Sequence, residues 1–109
     1  MTQNTKVARS RQNRFRLDVR GAYLRRTDLS HAKLERANLS RADFSNAILR
    51  DADFKNAILE GTILRGADLT GARNLTKDQL QKAILDPKTR LPDGFSISDF
   101  VSERAGVGD

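Results

Sequence analysis

Cysteine is absent from the chain, which rules out disulfide staples, thiolate zinc sites and thiol catalysis. Tryptophan is absent too, and with one Tyr and five Phe no large aromatic core can be assembled. No apolar run approaches the roughly 18 residues of a membrane span. The first residues also lack the apolar stretch of a secretory signal, so a cytoplasmic protein is expected. One histidine leaves little scope for imidazole chemistry. At 109 residues the chain is a single small domain, marginal for an ordinary globular core.

The formal charge of +6 is unevenly spread. Lys6, Arg9, Arg11, Arg14 and Arg16 face no acid before residue 17 and supply +5. Residues 17–71 hold nine basic and eight acidic side chains, and residues 72–109 hold six of each. The body is therefore close to neutral, and most of the basicity sits in a leader.

What the chain has in abundance is a repeat of five. From Leu17 to Gly71 it divides into eleven units: LDVRG, AYLRR, TDLSH, AKLER, ANLSR, ADFSN, AILRD, ADFKN, AILEG, TILRG and ADLTG. The first position is Ala in eight units and the third is Leu in eight. An α-helix would step successive third positions around its axis by about 140°, and a straight strand would send them to opposite faces. They share one interior only if the chain turns a corner in every unit. The fold class is thus an all-β solenoid, with Ala and Leu inward and the other three positions outward.

Charge decides how many units make a turn. At a spacing of 15, Asp28 stacks on Asp43 and Arg26 on Arg41; at 25, Asp18, Asp43 and Asp68 share a column. At 20 no like charges stack, and Lys33, Asp53 and Arg73 alternate in sign while His31 meets Asp51. Like charges about 4.8 Å apart repel, so four units per turn is the consistent register.

These units resemble the pentapeptide-repeat family, whose motif is written A(D/N)LXX and is matched by ANLSR, ADFSN, ADFKN and ADLTG. The resemblance covers residues 17–72 and implies a right-handed quadrilateral β-helix of about 2.75 coils, four pentapeptides per coil. Tyr23, Lys33, Ile48, Ile58 and Ile63 depart from the motif at the second position.

So short a stack, about 13 Å tall, exposes two open ends that need covering. At the C-terminal end the sequence supplies a capping α-helix, expected over Lys77 to Leu85. Thr76 and Gln79 form its capping box, Leu75 and Leu80 the hydrophobic staple, and Asp86-Pro87 its stop. The expected organisation is a basic leader over 1–14, a β-helix over 15–75, the helix and a turn over 76–94, and a tail over 95–109. Phe95, Ile97, Phe100 and Val101 in that tail are expected to fold back on the domain. No comparable cap precedes the first coil, where Phe15 is the one large apolar residue in reach, and a homodimer through that uncapped coil is expected.

Candidate sites are few. His31 beside Asp51 reads as a solvated surface pair. The carboxylates Asp18, Asp28, Asp43, Asp53 and Asp68 never stack two deep in the 20-residue columns, so no metal site or cofactor is expected. Gly61, Gly66 and Gly71 fall at the corner spacing and read as corners, not a phosphate loop. Tyr23, Ile48, Ile58 and Ile63 are the candidate partner contacts, being apolar at outward positions. No nucleophile–base pair is present, so no enzyme is expected. A non-catalytic module for binding another protein is the favoured reading. Binding of nucleic acid or an acidic surface through Lys6, Arg9, Arg11, Arg14 and Arg16 is the alternative. The resemblance also brings DNA mimicry towards gyrase, which a neutral-to-basic body disfavours.

Overall fold

A computed structural model describes residues 17–101. Their backbone coils with a period of 20. Parallel bridges join Asp18 to Asn38, Tyr23 to Asp43, Asp28 to Ile48 and Lys33 to Asp53, and each column continues into the next coil. Four rungs therefore make one turn, as the charge register requires.

The repeat of five follows from how one unit satisfies its backbone. The first-position N–H of the next unit bonds back to the third-position carbonyl, as Ala22 does to Val19 and Ala42 to Leu39. That bond closes a four-residue turn whose third residue is the fifth position. All eleven fifth positions have positive φ, including Gly21 and Gly66 at 68° and Arg26 at 58°. A type II turn asks for that conformation, which is why Gly and Asn recur there. The remaining groups bond up and down the stack. Val19 N–H reaches the Asn38 carbonyl, Gly21 N–H the Ser40 carbonyl, and Asn38 N–H the Leu17 carbonyl.

The interior is a filled shaft. Leu34, Leu39, Phe44, Leu49, Phe54, Leu59, Leu64 and Leu69 are all buried, with the first-position alanines from Ala37 to Ala72 beside them. Small first positions let the walls approach while the large third positions fill the space between. Thr62 takes an alanine's place at no expense in unpaired polarity, because its hydroxyl donates to the Leu39 carbonyl at 2.7 Å. The first coil is wetter: Val19, Leu24, Leu29 and Ala32 are only partly buried, and Leu17 is exposed.

Helix α1 spans Lys77–Lys82 and starts as expected. The Thr76 hydroxyl accepts from Gln79 N–H at 3.1 Å, and the Gln79 side chain accepts from Thr76 N–H at 2.8 Å. Gln79 also donates to the carbonyls of Phe54 and Ala57, both at 2.9 Å, and Leu80 is buried in the shaft's core.

The helix does not reach Leu85. Ala83 is already extended, and Ile84 forms a parallel bridge with Ile63. Beyond it Arg90 bridges to Asp68, and the Thr89 hydroxyl donates to the Leu64 carbonyl. The chain has resumed coiling, with Ala83-Ile84-Leu85 and Thr89-Arg90-Leu91 standing as two further rungs. The ladder thus runs past the 2.75 coils expected. Local helix signals continued through Leu85, but two open edges beneath, at Ile63 and Asp68, offered the backbone a better partner. Phe95 and Phe100 pack against this end, their rings 6.2 Å apart, around a short 3₁₀ turn at Ile97–Asp99.

Corner geometry yields the first test. A Cβ on Gly66 would push aside the end of the Asn46 side chain in the coil below, and the φ of +68° would keep any side chain there strained. Gly66→Ala should lower stability by about 1–3 kcal/mol. Arg36→Gly, at a corner with φ of 57°, should leave it unchanged or raised. Circular-dichroism melts check both, and a Gly66→Ala protein melting with wild type would contradict the corner assignment.

Candidate interaction surface

Each outward position has a distinct job. The second-position Asp or Asn folds over its own turn. Oδ1 of Asp43 accepts from the Ser45 N–H at 3.0 Å and the Ser45 hydroxyl at 2.6 Å. Asn38 does the same with Ser40, Asp28 with Ser30 and Asp68 with Thr70. The fourth-position N–H is the one amide of the unit that the turn and the ladder leave over, and this side chain takes it up. Second positions are accordingly less open than expected: Asn38 is buried, and Asp43, Asp53 and Asp68 are half-buried.

These hydrogen bonds stabilise the ionised carboxylates. The Ser45 hydroxyl and N–H hold Asp43 below the usual carboxylate range, as Ser30 does Asp28, the Arg20 guanidinium does Asp18, and the Asn74 amide does Asp53. At Asp68 burial works most strongly against the charge, but the Thr70 hydrogen bonds together with Arg50 and Arg90 outweigh it.

Four faces result, and the columns place the candidate residues on three adjacent ones. Ile58 stands over Asn38. Tyr23, Asp43, Ile63 and Ile84 form the next column, and Asp28, Ile48, Asp68 and Arg90 the one after. Tyr23 is 71% exposed, Ile48 38% and Ile84 37%. Ile58 and Ile63 are half-buried, Ile63 lying between Asp43 and Ile84 in its column. Ile84 joins this set because it is a rung and not a helical residue, which its sequence context concealed. Lys6, Arg9, Arg11, Arg14, Arg16 and Phe15 lie outside the described residues.

Surface ion pairs follow the stack. His31 Nε2 lies 3.8 Å from Asp51 Oδ2 with both side chains more than half exposed, and Arg73 lies 3.9 Å from Asp53. Arg25 and Arg50 reach Asp43 and Asp68 at 4.0 and 3.7 Å. Those last two are diagonal pairs from a fourth position to a second position one coil up, a neighbour relation that same-position columns do not display. Among the described residues no group of His, Asp and Glu could hold a metal ion. A notch of about 470 Å³ lies where α1 meets the coil, bordered by Lys55, Asn74, Thr76, Asp78 and Gln79. No described helix is long and apolar enough to cross a membrane.

The model of the family "Pentapeptide repeats" matches residues 17–46 and 47–86, in eight copies. The chain belongs to the pentapeptide-repeat family. Its members form right-handed quadrilateral β-helices, and the four rungs per turn are that quadrilateral. A pentapeptide-repeat protein, Rfr23 from the cyanobacterium Cyanothece 51142, is 33% identical over 68% of this chain, with a TM-score of 0.59. The match covers 50% of Rfr23, so this repeat protein spans about half the length of that relative. The pentapeptide-repeat protein alr5209 from Nostoc PCC 7120 is 24% identical over 91% of this chain and 92% of its own, with a TM-score of 0.31. AT2G44920, a pentapeptide-repeat protein of the Arabidopsis thaliana thylakoid lumen, is 22% identical over 72% of this chain and 57% of its own, at 0.28. Among curated proteins none matches the sequence.

The depressed carboxylates of this repeat protein make stability depend on acid. A group whose pKa falls on folding contributes stability that is fully present above its unfolded value, about 3.9, and lost as pH drops through the folded value. The melting temperature should hold steady above about pH 5 and fall below pH 4. Near neutrality Asp43→Asn should melt with wild type, since Asn38 shows that an amide serves, whereas Asp43→Ala should melt a few degrees lower. Equal melting of the two variants would remove the turn-capping role.

Proposed function

We propose that this pentapeptide-repeat protein is a non-catalytic binding module, a rigid post in the cytoplasm whose faces engage another protein, with α1 and the rungs after it covering its C-terminal end. The observation that carries this reading is the pairing of a filled interior with apolar side chains kept exposed on adjacent walls. Leu39, Phe44, Leu49 and Phe54 leave no chamber for a substrate, while Ile48 and Ile84 stand open at 38% and 37% exposure. A stacked ladder presents such residues on a backbone that moves little, which lowers the entropy lost on binding.

The DNA-mimic reading gains no support from charge. Residues 37–109 hold ten basic and eleven acidic side chains, far from the dense negative surface of a duplex.

Pairing of two copies through the first coil is a second reading, favoured by its open edge. The N–H groups of Asp18, Tyr23, Asp28 and Lys33 find no acceptor among the described residues, and a two-fold mate would present the same groups in return. The basic charge at that end opposes the pairing, so association should rise with salt. A monomeric mass by sedimentation at every salt concentration would exclude it.

For the module itself, Ile48→Asp combined with Ile84→Asp should abolish capture of the specific partner while leaving the melting curve in place. A partner retained equally by the double variant would sink the proposal.

A further inference from the structure

Positive charge is concentrated in the first third of the sequence. Residues 1–36 carry ten basic and three acidic side chains, a net +7, while residues 37–109 come to −1. Eight charged residues lie on the first coil's walls and corners between Asp18 and Arg36, and five of them are cations: Arg20, Arg25, Arg26, Lys33 and Arg36.

On one wall of that coil stands the chain's one tyrosine, Tyr23, 71% exposed. Arg25 lies over its ring, the guanidinium carbon 5.6 Å from the ring centroid, and donates to the Tyr23 hydroxyl at 2.6 Å. Beside it Arg26 occupies the corner, and together the three residues line an open recess of about 300 Å³.

Arg26 occupies its corner at a φ of +58°, as Arg36 and Arg41 do at theirs, a conformation that glycine adopts with less strain. An arginine there raises the energy of the fold by about 1–2 kcal/mol. Among the described residues it has no ion-pair partner that would offset this. Arg26 lines the recess beside Tyr23, with no described carboxylate paired to it.

We infer that Tyr23, Arg25 and Arg26 form a binding site for one nucleotide of a single-stranded nucleic acid, the base stacking on Tyr23 and the phosphate paired with Arg26. An aromatic platform beside a fork of donors matches a ligand that carries a π-face and an anion together. A duplex keeps its base faces covered, so a single strand fits better than a double one. Basic residues preceding Leu17 add counterion-release affinity for neighbouring phosphates without reading sequence. This inference does not rest on the protein-binding reading, whose test uses Ile48 and Ile84.

The experiment is fluorescence anisotropy of the full chain with a labelled oligothymidylate, with the matching duplex, and with phosphatidylserine vesicles, at about 50 and about 200 mM salt. The single strand should bind in preference to the other two, and more weakly at the higher salt. Tyr23→Ala should weaken it at least about fivefold. Arg26→Gly should weaken it about threefold or more while melting no lower than wild type, because glycine suits that corner. Lys77→Gln on α1 removes the same unit of charge and should change affinity less than twofold. No binding at the lower salt would overturn the proposal. So would indifference to Tyr23→Ala, an equal loss from Lys77→Gln, or vesicles or duplex bound as well as the single strand; the last result would mark a general polyanion surface instead.

Discussion

Everything in this structure depends on one turn being repeatable. A third-position carbonyl accepts from the N–H three residues on, and the fifth position must lie at positive φ for that bond to close. Once the chain accepts this geometry every five residues, it comes back over itself after twenty, and each coil becomes the hydrogen-bonding template for the next. The Leu and Ala interior fits because the turn brings those two positions inward, and the walls are whatever remains. Neither a helix's local bonds nor a large apolar core is needed. A chain with few aromatics and a third of its residues charged can fold in this way, since almost every buried polar group has its partner in the adjoining coil.

The same economy explains what the outward positions are free to do. An Asp or Asn at the second position takes up the leftover amide of its own turn, so that residue is structural even though it borders solvent. Where Tyr23, Ile48, Ile58 or Ile63 stands instead, the turn gives up that hydrogen bond, and the amide is left to water. Such replacements are the places where the chain sets aside a local structural preference, and places of that kind are where binding is reasonably sought. Arg26 belongs with them, for it holds at positive φ a corner that glycine would fill with less strain.

The expected period, register and capping box all survive in the structure, and for one reason: each is a relation among residues close in sequence or repeated at a fixed interval. The capping box needs Thr76 and Gln79 three apart, and the coil needs like charges kept out of the same column. Misreading began where two local signals competed. Ala83, Ile84 and Leu85 fit an amphipathic helix and also fit the inward–outward–inward order of a repeat unit. The open edges at Ile63 and Asp68 decided between them, and those edges exist only once the coils are stacked. Ile84 was thereby hidden among helical residues, although it stands on the same wall as Tyr23.

By itself, then, the sequence determined the five-residue unit, the shaft's contents, four rungs per turn and the start of α1, because each is encoded in spacing. Only the tertiary structure decided where α1 stops, that Ile58 and Ile63 are half-covered, and that Arg25 stands over Tyr23 beside Arg26. Those outcomes turn on which surfaces meet across coils and on how much open edge is left to pair. No count along the chain contains that information until the coils have closed.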